Sequence, residues 1–137
     1  MSDHRQPPSE QAQEIDAHGL HYRELNARIR EALNCVGCQH LVLRNVCGQR
    51  YIGAGLRRRV QIDIHGTPGN DLGAFMDGPS VVVRGNAQDG SGNTLNDGEI
   101  VIHGRAGDIT GYAMRGGRIF VRDDVGYRAG IHMKEYG

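Results

Sequence analysis

From about Val60 onward, apolar residues return in pairs at a fixed interval. Ile62-Asp63-Ile64-His65-Gly66 is followed by Val81-Val82-Val83-Arg84-Gly85, then by Ile100-Val101-Ile102-His103-Gly104 and Ile119-Phe120-Val121-Arg122-Asp123, with a step of 19 residues each time. Two more columns keep the same step: Gly73, Gly92, Gly111 and Gly130, and Met76, Leu95, Met114 and Met133. Three columns in one register over four copies predict an all-β solenoid, in which each unit buries its apolar face by stacking on its neighbours. Counted from the Gly66 column, the residues two and four places earlier are always Ile or Val. Strand alternation puts both on one inward face. Two places later come Pro68, Ala87, Ala106 and Val125, small enough for a narrow interior, and the Met/Leu column supplies a second inward wall. Coils stacked as hydrogen-bonded strands lie about 4.8 Å apart, so each column becomes a ladder of like residues.

The period changes before Val60. Tyr22, Leu25, Ile29, Ala32 and Leu33 fall on one face of a helix predicted over about His21–Asn34, with Arg23, Glu24, Asn26, Arg28, Arg30 and Glu31 on the other. Asn34 and Gly37 are its stop signals. Leu41-Val42-Leu43-Arg44-Asn45 is expected to be the strand of an irregular first coil, over about 41–59. The distance from Leu41 to Ile62 is 21 residues, so this coil carries an insertion. Glu14-Ile15-Asp16-Ala17 reads as a short strand leading in, and residues 1–13, rich in Ser, Gln, Pro and charge, as a mobile leader. The β-helix domain is thus expected over 14–137, with regular coils over 60–137.

The glycines follow a rule: Gly, two residues, Gly, three residues, Gly. It is intact at Gly66, Gly69, Gly73 and at Gly104, Gly107, Gly111, and broken by Gln88 and Asp123. A nucleotide-binding loop needs one glycine-rich turn between a strand and a helix. Here the glycines recur in every coil with no helix after them, which assigns them to corners and to close backbone approach. Six-residue acyltransferase repeats lose phase with a 19-residue step. The calcium-binding nonapeptide is echoed once, at Asp89-Gly90-Ser91-Gly92-Asn93, and does not recur.

Composition narrows the function classes. A net charge of zero argues against non-specific nucleic-acid binding. Only 38% of the residues are hydrophobic and Trp is absent, so a thick core is not expected, and the 21 glycines point to many turns. No run approaches the roughly 20 apolar residues of a membrane span. The polar N-terminus lacks the apolar segment of a secretory signal. Three cysteines, an odd number, suit a reducing cytoplasm better than a disulfide framework.

The repeated Gly-x2-Gly-x3-Gly coil resembles the β-helix domain at the C-terminal end of the glutamate synthase large subunit, which also occurs as a stand-alone protein. The lead-in stretches Gly19-Leu20-His21-Tyr22-Arg23-Glu24-Leu25-Asn26 and Leu43-Arg44-Asn45-Val46-Cys47-Gly48-Gln49-Arg50-Tyr51-Ile52-Gly53 resemble that family too. Related domains occur in N-methylglutamate synthase and formylmethanofuran dehydrogenase. The resemblance covers about residues 14 to 137. It implies a right-handed parallel β-helix that holds other domains in place and carries neither the glutaminase cysteine nor the flavin. Met1-Ser2 offers no nucleophilic N-terminal cysteine. By this resemblance the chain carries no catalytic residue and no cofactor. FMN and iron–sulfur clusters are expected only in partner subunits, and the partners are glutaminase-type and flavin-barrel subunits or further copies of the chain. Family members usually continue with further coils beyond Lys134-Glu135-Tyr136-Gly137, and the last coil is expected to leave an open edge that pairs with another chain or with more coils.

Three groups of residues are candidates for something beyond structure. Cys35 and Cys38, with Cys47 nine residues later, are the metal candidates, and His40 is a possible fourth ligand. The spacing matches no complete finger or cluster motif, and incidental reduced cysteines are the plainer reading. His65, Arg84, His103 and Arg122 form an outward cationic ladder, offset either by acids on a neighbouring column or by a partner. Val82, Val101 and Phe120, following Asp63, form an outward apolar stripe, a feature normally covered by something. The helix face Tyr22/Leu25/Ile29 and a further protein chain are the two possible covers. The interface candidates are therefore Arg84, His103, Arg122, Val82, Val101 and Phe120. The leading function is a non-catalytic scaffold in a glutamate synthase-like complex. A β-helix enzyme acting on carbohydrate needs a groove of acids, and Asp71, Asp89, Asp97, Asp108 and Asp123 are scattered over turn positions. A small cysteine-based metal module is the other alternative.

Overall fold

The computed structural model describes residues 12–34, 38–104 and 114–121. Six strands form one parallel sheet in sequence order: β1 Gln13–Asp16, β2 His40–Cys47, β3 Gln61–Thr67, β4 Asp77–Val83, β5 Asp97–Ile102 and β6 Arg118–Val121. One helix, α1 Tyr22–Leu33, lies between β1 and β2. The chain is a parallel β-solenoid with coils of about 19 residues.

The inward columns stack residue on residue. Leu41, Ile62, Val81, Ile100 and Ile119 are register partners in succession, as are Leu43, Ile64, Val83, Ile102 and Val121. All but Val121 are buried. Full burial of each such side chain contributes about 1.5–3 kcal/mol relative to exposure. The second wall is also where the pattern placed it, with Met76, Leu95 and Met114 buried.

The ladder begins one rung before the irregular first coil. Gln13 pairs with Leu41 and Ile15 with Leu43, so β1 is the first strand of the sheet itself. The α1 insertion widens this step beyond 19 residues and hides it from a search for the repeat. Helix α1 buries Leu25, Ile29 and Leu33, spaced by four, and these join the same core as Leu41, Leu43 and Ile62. The helix therefore plugs the N-terminal end of the solenoid.

The insertion in the first coil is partly a bulge. The register shifts between Leu43 and Val46, and Asn45 takes a positive φ of 59°. That side chain donates to Asp16 Oδ1 at 2.9 Å, which holds the irregular turn against the rung below.

The glycine columns divide into two kinds. A Cβ on Gly85 would sit 2.5 Å from the Gly66 carbonyl oxygen, so this column exists to let coils approach. Gly73 and Gly92 instead have φ of 67° and 72°, in the left-handed region. They belong to an alternation in which Asp71, Gly73 and Phe75 share positive φ with Gly90, Gly92 and Thr94 one coil on. The backbone N–H of Asp71 donates to Asp89 O, that of Gly73 to Ile52 O, and that of Phe75 to Asn93 O. The second wall is thus bonded coil to coil without forming β-strands, which gives these buried N–H groups their partners.

Candidate functional site: the outer sheet face and the helix junction

The outer face of the sheet is built from the positions between the inward columns. Val42, Asp63, Val82, Val101 and Phe120 are successive register partners. Val42 is buried, Val82 and Val101 are half-buried, and Phe120 is 43% exposed. The apolar stripe therefore faces outward as expected, and its exposure grows toward β6. Helix α1 does not cover it. Leu25 and Ile29 are spent on the solenoid interior, and among the strands the helix packs chiefly on β1, at the far end of the sheet from Phe120.

Asp63 is the exception in this column, a carboxylate that is only 8% exposed among valines. Burial of a charge requires partners. His40 Nε2 lies 2.9 Å from Asp63 Oδ2, and an Arg84 guanidinium nitrogen lies 3.7 Å from Oδ1. The second contact is too long for a hydrogen bond, and Oδ1 makes none. The arrangement joins three strands: His40 on β2, Asp63 on β3 and Arg84 at the end of β4. An acid on the neighbouring column thus offsets one member of the cationic ladder. His65 is half-buried, Arg84 and His103 are exposed, and Arg122 lies outside the described residues.

Cys38 and Cys47 lie at opposite ends of β2. Cys38 is buried just before β2, and Cys47 is exposed at its end. The intervening strand separates them by something of the order of 20 Å. His40 Nε2 is engaged by Asp63. Cys35 lies outside the described residues. Among the described residues, no three His, Cys, Asp or Glu side chains are grouped to hold a metal ion. None of their helices is long and apolar enough to cross a membrane.

The second feature is a junction that joins the two lead-in stretches. The Gln49 side chain is 6% exposed and fully used. Its Nε2 donates to Ala17 O at 3.0 Å and Leu20 O at 3.1 Å, and its Oε1 accepts from the Cys47 backbone N–H at 2.7 Å. Asn26 Nδ2 donates to Tyr22 O at 2.9 Å and to Arg50 O at 3.1 Å. The Tyr22 and Tyr51 rings lie 5.8 Å apart, and the Arg50 guanidinium sits 5.1 Å from the Tyr22 ring centre. Sequence reasoning found both stretches but not their contact. The signal it had was an Asn on the polar face of a helix and a Gln beside a turn glycine, which are ordinary surface residues until the fold joins them.

Asp16 closes the arrangement at the bulge. Its carboxyl is held below the usual 3.8, first by the Asn45 side-chain hydrogen bond and then by the His18 backbone N–H.

Comparison with known proteins agrees with this architecture. The GXGXG motif family model matches residues 17–136. The Uncharacterized protein MJ1350 of Methanocaldococcus jannaschii is 60% identical over 124 residues, covering 89% of this chain and 48% of that protein. The chain thus spans about half the length of this relative. No solved structure matches.

Proposed function

The chain belongs to the GXGXG motif family, which includes the C-terminal region of the glutamate synthase large subunit, and from this premise we propose that it is a non-catalytic scaffold of a glutamate synthase-like complex. The observation that carries the reading is the outer stripe Val82–Val101–Phe120, which no helix among the described residues covers, beside Arg84 and His103. An apolar strip on a hydrogen-bonded, rigid sheet is a surface for another protein to pack on. The partners in this reading are the glutaminase-type and flavin-barrel components, which would hold the FMN and the iron–sulfur clusters. Their docking surface would be apolar, to match the stripe.

Purification of the native complex through a tag on this chain tests the proposal. A glutaminase-type or flavoprotein component should be recovered with it, and Phe120→Asp should reduce that recovery while leaving the chain folded. A monomer from which neither component is recovered, in cells that contain both, would overturn the reading.

A further inference from the structure

A groove outside the outer sheet face carries a different kind of chemistry. It has a volume of about 250 Å³ and is lined by Tyr22, Arg23, Asn26, Arg30, Tyr51 and Ala54. Arg23, Asn26 and Arg30 follow one another at helical spacing along α1, so the two guanidinium groups share one flank of the helix. Arg50 adds a third cation against the Tyr22 ring. None of these arginines has a carboxylate within ion-pair distance among the described residues. Glu24 on the same helix is occupied by Arg28, at 3.6 Å, and Glu31 lines a separate groove with Gln13 and Arg28. Among the described residues these like charges on one groove are therefore left without a neutralising acid, an arrangement that an anion relieves.

The frame around these cations is fixed. Asn26 ties the helix to the coil through Arg50 O. Tyr51 has a positive φ of 61°, a backbone state that disfavours residues with a Cβ, and it is held there by hydrogen bonds from its N–H to Asn70 O and from the Ala54 N–H to its carbonyl. Tyr51 stays 41% exposed and lines the groove. Planar guanidinium forks beside an accessible aromatic face match an oxyanion, and more so one carried on a flat group.

We infer that the groove between α1 and the Tyr51 turn binds a small phosphate-class oxyanion, through Arg23 and Arg30 with Tyr51 at its rim. The inference does not depend on which complex the chain serves. Inorganic phosphate and ADP, titrated separately into the full chain and followed by NMR, provide the test. The Tyr22 and Tyr51 ring signals and the Asn26 side-chain amide should shift saturably. The Arg23→Gln/Arg30→Gln double variant should bind at least about tenfold more weakly, with an unchanged circular dichroism spectrum. Arg30→Gln alone serves if the double variant does not fold. Similar affinity for both probes identifies the free ion as sufficient, and tighter ADP binding identifies a stacked ester; both support the site. No saturable shift with either probe, or equal binding by wild type and the arginine variants, overturns it.

Discussion

Replacing Gln49 by Leu keeps the volume of a buried side chain and removes its three hydrogen bonds. The Ala17 carbonyl then loses one of its two donors and keeps the Leu20 N–H, whereas Leu20 O and the Cys47 N–H are partly exposed and regain some water. No group is fully orphaned, and each lost hydrogen bond costs about 0.5–1.5 kcal/mol, less where water replaces it. The expected loss is therefore about 1–3 kcal/mol, concentrated where α1 plugs the solenoid. Urea unfolding gives the total, and hydrogen exchange at the α1 amides locates it. Gln49→Glu sharpens the test. The variant carboxylate retains an acceptor for Cys47 N–H but faces two carbonyl oxygens, so burial and repulsion raise its folded pKa above the roughly 4.3 of an unfolded glutamate. A raised acid makes the folded state bind more protons, so the variant's deficit should be small at low pH and grow as pH rises from about 4 through the folded pKa. A Gln49→Leu loss within about 0.5 kcal/mol of zero, or a Gln49→Glu deficit that ignores pH, would refute the clamp.

Three further outcomes follow from the geometry. Gly85→Ala places a methyl against the Gly66 carbonyl and should cost about 2 kcal/mol or more, read as a lower urea midpoint; a neutral result would mean that the coils separate easily. Phe120→Asp should change stability by no more than about 0.5 kcal/mol, because the ring is exposed, so any loss of complex reports docking rather than unfolding. Asn45→Ala should raise the Asp16 carboxyl toward its ordinary value, seen by NMR titration. In the wild type that carboxylate favours the folded state above about pH 4, and the contribution disappears as pH falls through the lowered pKa.

The fold was legible because a solenoid writes its register into the chain. Ile62, Val81, Ile100 and Ile119 are spaced in sequence as they are stacked in space. The β1 rung was less legible, since α1 separates Ile15 from its partner Leu43. The backbone of the second wall was not readable at all: Phe75 and Thr94 carry no mark of a positive φ. Of the candidate site, the outward stripe followed from alternation alone. The role of Asp63 did not, because its burial depends on His40 and Arg84, each on a different coil. The helix was a possible cover for the stripe on the pattern alone, but a helix with one apolar face covers one surface, and the open solenoid end has the greater need. The Cys35 and Arg122 candidates and the expected open edge of the last coil fall outside the described residues.

The in-register stacking that buries the core also makes the molecule a ruler. Adding one whole coil moves everything beyond it by about 4.8 Å and leaves each column facing the same way, apart from the slow twist of the sheet. The irregular first coil illustrates the tolerance: its extra residues are absorbed in a bulge and a corner, and Leu41 still meets Ile62. Chains built on this plan can therefore change the distance between docked neighbours in discrete graduations without redesigning the surface that each neighbour touches.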